Sequence, residues 1–326
     1  MLNFELRPAW TSAASAAPTI SVVVPLYNHA PYIEAALGSV LSQTSAADEI
    51  ILIDDGSSDN GFELAQQVLS NVPHAKTFRQ ENAGAHTTIN RGIELSSGDY
   101  IAVLNSDDLF APAKLECCRV ILRERRDVGL IAGNLGIIDG NGVRLQSGFA
   151  IDWLDRARRF LHETKLPQLA LLNENFVATT SNMVFARELW RAAGGFQSLR
   201  YCHDLDFLMF ACANSSVYLD LEEEHIAYRV HPNNTIWEDQ SKVRVEVAAV
   251  IAQALCAAGP RLFSADLDEQ DLAAFLRVLR NRRLTELVSY FQTVFPAFAN
   301  RAAFYAHVAD SSRVAAFQAA LAGGGH

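Results

Sequence analysis

The sequence lacks an excess of positive charge, a metal-type arrangement of cysteines and a hydrophobic run long enough to cross a membrane. Its 27 Lys and Arg are outnumbered by 37 Asp and Glu, which gives a formal net charge of -10. Nucleic-acid surfaces need clustered basic side chains, so we expect no nucleic-acid partner. The five cysteines are odd in number and favour free thiols in a reducing cytoplasm over a disulfide framework.

No apolar run approaches the roughly 18 residues of a membrane-spanning helix. The first 18 residues also lack the basic start and the continuous apolar centre of a signal peptide, and we expect them to be a flexible lead-in. Since 50% of the 326 residues are hydrophobic, the chain can bury a large core. These features predict a globular protein without a transmembrane segment, and they remain compatible with peripheral contact at the inner face of a membrane.

Three buried β-type runs end abruptly in polar residues. Ile20–Val24 is stopped by Pro25, and Glu49–Ile53 is followed by the acid pair Asp54 and Asp55. The third run, Tyr100–Leu104, leads into four consecutive polar residues, which are Asn105, Ser106, Asp107 and Asp108. Helical apolar patterns separate the runs, so we expect a doubly wound α/β sheet in which these ends open on one edge.

Two acid pairs at strand ends favour a functional site, because a buried strand does not itself need adjacent carboxylates. A divalent cation with oxygen ligands that also holds substrate phosphates would compensate their charge. A structural interpretation remains open for both pairs. Asp107 or Asp108 can cap the following helix, and Asp54 or Asp55 can shape a turn.

The order and spacing of four motifs resemble those of family 2 glycosyltransferases. The resemblance extends over about residues 20–232. The motifs are Val24-Pro25-Leu26-Tyr27-Asn28; Ile53-Asp54-Asp55-Gly56-Ser57-Ser58-Asp59; Glu81-Asn82-Ala83-Gly84 with Asn90-Arg91-Gly92; and Leu104-Asn105-Ser106-Asp107-Asp108. The resemblance implies a GT-A fold, which is a Rossmann-like mixed sheet with helices on both faces, followed here by a helical extension.

The resemblance also implies the residues that bind a nucleotide-diphosphate sugar, with a UDP-sugar favoured, and a Mn2+ or Mg2+ ion. Asp107 is the principal carboxylate expected on the metal, and His231 is expected to complete the metal shell, although a structural role for His231 is equally open. The other residues expected along the donor site are Pro25, Tyr27, Asp54, Asp55, Asn82, Gly84, Asn105 and Ser106.

Two positions depart from the family pattern. Asn105 stands where many relatives have the first Asp of the metal motif, so it offers a neutral oxygen to the metal or contacts the sugar instead. Ile89 stands where many have an Arg, which removes a cationic contact. Both departures blur donor specificity.

Asp204 matches the family's general base, which removes the proton of the acceptor hydroxyl during attack on the anomeric carbon. It lies in His203-Asp204-Leu205-Asp206, several residues after Gly194-Gly195-Phe196. Asp204 can also cap the helix that follows. Asp206 is expected to orient neighbouring groups or to stabilise the first turn of that helix. His203 is expected to be an ordinary exposed side chain, with tuning of Asp204 or binding of the acceptor as the alternatives.

We therefore expect a lead-in over residues 1–18, a GT-A catalytic domain over 19–235 and a helical region over 236–326. Within the domain, residues 19–110 form the nucleotide-sugar-binding half and residues 111–235 the acceptor half. The expected activity is metal-assisted, inverting sugar transfer to a carbohydrate, lipid-linked or protein acceptor, in surface polysaccharide or glycoconjugate synthesis. The alternative is a catalytically silent sugar-nucleotide-binding module, which Asn105 and Ile89 support.

The remaining patterns predict helices and one hairpin. One helix is expected over Ile151–Leu172, and two strands are expected to flank the turn at Asp139–Gly142. Apolar residues at helical spacing after Asn234 predict four helices, which either pack on the catalytic domain or form a homodimer contact.

Overall fold

An eight-stranded mixed sheet forms the core of the protein, in strand order β3-β2-β1-β4-β7-β6-β8-β5. The structure is a computed structural model that describes residues 18–232, 234–235, 238–262, 268–310, 313 and 316–317. The predicted lead-in therefore lies outside the described residues except for Pro18. The strands are β1 (Ile20–Leu26), β2 (Glu49–Asp54), β3 (Ala75–Arg79), β4 (Tyr100–Val103), β5 (Leu109–Phe110), β6 (Val128–Ile138), β7 (Met183–Ala186) and β8 (Ser216–Arg229).

Strands β1 to β4 are mutually parallel, so their carboxyl ends lie at one edge of the sheet. In the register, Leu26 of β1 pairs with Asp54 of β2, and Asp54 pairs with Arg79 of β3. On the other side of β1, Val23 pairs with Val103 of β4. The chain order reverses between β1 and β4, and ligands of doubly wound sheets bind at such a switch point.

The described part of the chain also contains twelve α-helices. They are α1 (Ile33–Leu41), α2 (Gly61–Leu69), α3 (Ala85–Leu95), α4 (Lys114–Glu124), α5 (Phe149–Thr164), α6 (Pro167–Asn173), α7 (Arg187–Ala193), α8 (His203–Asn214), α9 (Gln240–Ala258), α10 (Glu269–Asn281), α11 (Thr285–Val294) and α12 (Arg301–Ala309). None of the described helices is both long and apolar enough to span a membrane.

The chain divides into two compact units, each built from segments that are not consecutive in sequence. The first unit comprises the chain up to residue 148 with residues 177–196 and 215–230, and it holds the whole sheet together with α1–α4 and α7. The second unit comprises residues 149–176, 197–214 and 231–326, and its described regular structure is helical. The mixed α/β sheet and the carboxyl-terminal helical region are thus confirmed, and the predicted domain boundaries stay predictions.

One local prediction was wrong, and a second was confirmed in part. The helix expected over Ile151–Leu172 is two helices, α5 and α6, because Lys165 adopts a left-handed φ of 54° and Pro167 starts a new helix. Proline cannot donate a helical hydrogen bond and disfavours a helical conformation in the preceding residue.

The strand expected before the turn at Asp139–Gly142 is the carboxyl end of one long strand, β6. It pairs with β8 along its length, and register shifts around Gly133 and Asn134 absorb the irregularity. The hairpin expected around Asp139–Gly142 is present in short form: Ile138 and Arg144 form an antiparallel bridge, and the N–H of Leu145 donates to the carbonyl of Ile137 at 2.9 Å.

Candidate active site

The loops that follow β1, β2 and β4 are tied to one another at the switch point. The backbone N–H of Asp55 donates to the carbonyl of Leu26 at 2.8 Å, and the N–H of Asn28 donates to Ser57 Oγ at 2.9 Å. Asn28 adopts a left-handed φ of 51°, which asparagine tolerates better than most residues. Nδ1 of His29 lies 2.8 Å from Ser106 Oγ. The sequence therefore brings the polar ends of three strands together, as predicted.

Asp54 and Asp55 are both buried, and both already bind groups of the protein. The Asp54 carboxylate lies 2.9 Å from Nε of Arg79. The Asp55 carboxylate accepts from Gln80 Nε2 at 2.7 Å and from the backbone N–H groups of Ala83 at 2.8 Å and Gly84 at 2.9 Å. These contacts support the loop-shaping interpretation of the acid pair, because the carboxylates hold the segment that enters α3.

The exposed rim of this edge is formed by other predicted residues. Tyr27 follows β1 and is 48% exposed, which leaves its ring accessible for stacking. Asn82 is exposed, while Pro25 is partly buried. Gly84 adopts a φ of 87° at the N-cap of α3, a conformation that a side chain would strain.

Asn105 is held by hydroxyl groups of residues 179–181. Its Nδ2 donates to Thr179 Oγ1 at 2.8 Å, and its Oδ1 accepts from Thr180 Oγ1 at 3.0 Å. Its backbone N–H donates to Ser181 Oγ at 2.9 Å. Both ends of the amide thus have partners, so Asn105 fixes the polar loop after β4 to the turn before β7.

Asp108 plays a structural role that is distinct from that of Asp107. Its carboxylate accepts from Ser181 Oγ at 2.6 Å and from the backbone N–H of Arg229 at 2.9 Å. Burial, and then the neighbouring charge of Asp107, raise the pKa of Asp108 to about 8. The Arg229 side chain donates through Nε to the carbonyl of Asp107 at 2.6 Å. Asp108 and Arg229 therefore fix the backbone that carries Asp107.

Lys114 is a further member of the same hydrogen-bond network, and sequence reasoning did not find it. It is fully buried, its ammonium donates to the carbonyl of Ser181, and it lies 4.3 Å from the centre of the Phe110 ring. Burial lowers its pKa to about 7. The sequence gives no signal for a buried lysine in an amphipathic helix, because a lysine there is ordinarily assigned to the solvent-exposed face.

His29, Asp107 and His231 offer a candidate metal centre. One ligand atom from each residue lies within 4.8 Å of the other two. Asp107 is 9% exposed and His231, which follows the end of β8, is 6% exposed. Opposite ligands of an ion with bonds of about 2.1 Å are about 4.2 Å apart, so one cation can bridge the group after small side-chain rotations.

The donors fit a divalent transition-metal ion, because imidazole nitrogen binds such ions well and a carboxylate compensates their charge. Sequence reasoning proposed Asp107 and His231 as ligands but missed His29. Its position after the end of β1, at the edge where Asp107 lies, was a usable signal.

Asp204 lies in the second unit, at the start of α8. It is 8% exposed, and its carboxylate accepts from Asn175 Nδ2 at 2.8 Å and from the N–H of Leu205 at 2.7 Å. Burial raises its pKa to about 7, the range in which a general base works best. His203 is partly buried rather than exposed, and burial lowers its pKa to about 4.

The motifs around Asn90 and Gly195 join each other inside the first unit. Asn90 Nδ2 donates to the carbonyl of Phe196 at 2.8 Å, and its Oδ1 accepts from the N–H of Phe196 and from Trp190 Nε1. The neighbouring Ile89 is fully buried in the core. These motif residues serve the fold, because their polar atoms bind other protein groups.

The chain is similar to known glycosyltransferases in sequence and structure. The family model described as Glycosyl transferase family 2 matches residues 21–192, more than half of the 326 residues. The uncharacterized glycosyltransferase RT0329 of Rickettsia typhi is 31% identical over 221 residues, which cover 67% of this chain and 66% of that protein. Across eight curated relatives the aligned stretches cover from 18% to 66% of their length, less than two thirds.

Solved structures agree with the sequence comparison. S. aureus TarS 1-349 in complex with UDP-GlcNAc has a TM-score of 0.60 at 19% identity, covering 81% of this chain and 73% of that chain. The mannosyltransferase PcManGT from Pyrobaculum calidifontis, in complex with GDP-Man and Mn2+, has a TM-score of 0.57 at 17% identity, covering 94% and 86%. The structural neighbours are GT-A fold glycosyltransferases, which confirms the predicted fold. The chain belongs to glycosyltransferase family 2.

Proposed function

We propose that the protein is a metal-dependent, inverting glycosyltransferase that moves a sugar from a nucleotide-diphosphate sugar to an acceptor hydroxyl. The observation that carries the proposal is the grouping of His29, Asp107 and His231 beside the switch point of a family 2 fold. Such a fold binds its substrates at that edge. The two imidazoles and the carboxylate there suit the divalent cation that a diphosphate needs.

The three side chains would hold the cation, which when bound neutralises charge on the departing diphosphate. Tyr27 is placed to stack on the nucleoside base. Asp54 and Asp55 hold the loops that surround that base. We still propose that both residues contact the nucleoside. TarS with UDP-GlcNAc and PcManGT with GDP-Man and Mn2+ support this class of donor and ion, and we favour a UDP-sugar.

Asp204 is proposed to remove the proton of the acceptor hydroxyl. A carboxyl group with a pKa of about 7 is half ionised near neutral pH and binds a proton more strongly than an ordinary aspartate. Both properties favour proton abstraction from a hydroxyl as it attacks the anomeric carbon. Asn175 would keep one carboxylate oxygen oriented during that step.

The acceptor class is a carbohydrate, a lipid-linked sugar or a protein, in surface polysaccharide or glycoconjugate synthesis. The five cysteines are all free thiols, which supports a reducing compartment and hence the cytoplasm or the inner face of its membrane.

A panel of sugar nucleotides tests the proposal without knowledge of the acceptor. The full chain is incubated with each donor and Mn2+, with water taking the sugar in place of the acceptor hydroxyl, and release of the nucleoside diphosphate is measured with and without EDTA. We expect one donor to give Mn2+-dependent release, and Asp107→Ala to lose it by a hundredfold or more, the typical loss for an electrostatic stabiliser of the transition state. Metal-independent release, or full release by Asp107→Ala, would refute the proposal.

The second candidate is a sugar-nucleotide-binding module without transferase activity. The occupied amide of Asn105 favours it, because that amide binds Thr179 and Thr180 in the position where the family resemblance implies a metal-binding acid. This candidate predicts that a donor raises the melting temperature in the same panel while no nucleoside diphosphate is released.

A further inference from the structure

The start of α8 is fixed from both sides by residues of the carboxyl-terminal helices. Asp204 is the second residue of this helix. Cys202 lies two residues before it, and Asp206 lies two residues after it. Each of these two neighbours is held by a helix from beyond residue 236, a region in which the sequence showed no catalytic motif.

The anchor before Asp204 is the carboxylate of Glu246, which lies in α9. It accepts three consecutive backbone N–H groups, from Arg200 at 2.9 Å, Tyr201 at 2.8 Å and Cys202 at 3.0 Å. Glu246 is 9% exposed, and burial raises its pKa. One buried carboxylate thus fixes the path of the chain that enters α8.

The anchor after Asp204 is the pair formed by Arg301 and Tyr305 on α12. The hydroxyl of Tyr305 donates to Asp206 Oδ1 at 2.6 Å, and the guanidinium of Arg301 pairs with the other carboxylate oxygen. Asp206 is 1% exposed and Tyr305 is fully buried. The guanidinium also lies 4.8 Å from the centre of the Phe210 ring, one turn further along α8.

These anchors are costly if stability is their only purpose. Buried carboxylates pay a large desolvation penalty, and well-packed apolar residues often give equal or greater stability. Charged anchors that make several hydrogen bonds supply a defined geometry. A catalytic group needs such a geometry, because it must be held within about 0.5 Å of its productive position. Two such anchors, each two residues from Asp204, are the arrangement that this requirement predicts.

We propose that Glu246, Arg301 and Tyr305 are positioning residues that hold Asp204 in place for proton abstraction, so that the carboxyl-terminal helices are part of the catalytic apparatus. The inference rests on the proposed function, because it takes Asp204 as the base. It assigns no contact with substrate to the three residues.

Conservative variants of the full chain test the inference. Glu246→Gln keeps the shape of the side chain but replaces one acceptor by a donor that faces backbone N–H groups, and Tyr305→Phe removes one hydroxyl. With the sugar nucleotide that gives the fastest Mn2+-dependent release in the panel, we expect kcat to fall roughly ten- to hundredfold, because a displacement of about 1 Å can cost that much. The KM for the donor should stay within about twofold of that of the unaltered protein, since the substitutions leave the binding of the donor in the ground state unchanged.

A control variant separates positioning from loss of stability. Val288 lies in α11, is 2% exposed and makes none of the anchoring contacts. Val288→Ala should lower the melting temperature at least as much as Tyr305→Phe and leave kcat unchanged. Equal losses of kcat in both proteins would overturn the inference.

A double-mutant cycle asks whether the anchors act through Asp204. If they do, Tyr305→Phe should add little to the loss caused by Asp204→Asn, whereas independent effects would multiply. Hydrogen exchange of residues 199–207 gives a readout that does not depend on activity, and Glu246→Gln should accelerate it. Unchanged exchange together with a kcat within twofold of the unaltered protein would overturn the inference.

The two proposals fail in different ways. Full turnover by Asp204→Asn would remove Asp204 from the base role, and the proposed mechanism would fall with it. An impaired Asp204→Asn protein beside fully active Tyr305→Phe and Glu246→Gln proteins would refute the positioning role alone.

Discussion

Replacing Asp204 by Asn should change the stability of the protein in a direction that depends on pH. Burial raises the pKa of Asp204 from 3.8 to about 7, so the folded protein holds a proton that the unfolded chain has released between these values. Stability falls as pH rises through this window and stays low above it. At about 1.4 kcal/mol for each pH unit, the ionisation costs about 4 kcal/mol by about pH 8.

Asn cannot ionise and escapes this cost. It has one acceptor oxygen where Asp204 has two, so of the bonds from the Leu205 N–H and from Asn175 Nδ2 it keeps one and gives up the other, at about 1 to 3 kcal/mol at every pH. The variant should therefore be less stable than the unaltered protein at about pH 4.5 and more stable at about pH 8. Between these pH values, the difference in unfolding free energy between the two proteins should change by about 3 kcal/mol. Urea denaturation at a series of pH values measures this difference.

Asp239→Asn is the matched control. The hydroxyl of Ser241 is the chief cause that lowers the pKa of Asp239. Ionised Asp239 therefore contributes stability that is lost as pH falls. The effect of this substitution should change with pH in the opposite direction to that of Asp204→Asn. A pH-independent effect of Asp204→Asn would refute the reasoning, as would a pH–rate profile of kcat/KM that shows no rise through about pH 7.

Three further substitutions test individual contacts by urea denaturation. Arg79→Ala leaves the buried Asp54 carboxylate without its cation and should cost about 2 kcal/mol, less than a fully buried pair because Arg79 is half exposed; an unchanged midpoint would contradict this. Asn105→Asp introduces the acid that the family resemblance implies at this position, but the new side chain cannot donate to Thr179, so we expect lower stability without tighter Mn2+ binding; tighter binding would count against the structural role. Asn90→Ala removes three hydrogen bonds and should cost about 2 to 4 kcal/mol, whereas a loss below about 0.5 kcal/mol would show the motif to be dispensable for folding.

The edge of the sheet could be predicted because short apolar runs ended in polar residues. Buried parallel strands leave a clear signal, and the parallel order fixes where their ends meet. The roles at that edge were harder to predict. Asp54 and Asp55 are engaged by Arg79 and by the backbone near Gly84, which follows from long-range packing rather than from local sequence.

The anchors of Asp204 were beyond sequence reasoning for the same physical reason. Glu246 lies in a largely buried helix and binds backbone atoms more than 40 residues away, and no side-chain pattern records such a contact. Tyr305 looked like an ordinary core residue at helical spacing. Burial of a carboxylate becomes visible only when the packing around it is known.

Pulsed EPR of bound Mn2+ shows whether His29, Asp107 and His231 bind one divalent cation. We expect couplings from two imidazole nitrogens, of which His29→Ala and His231→Ala each remove one, together with much weaker Mn2+ binding in Asp107→Asn. A Mn2+ signal without nitrogen coupling, or one unchanged by all three substitutions, would contradict this expectation.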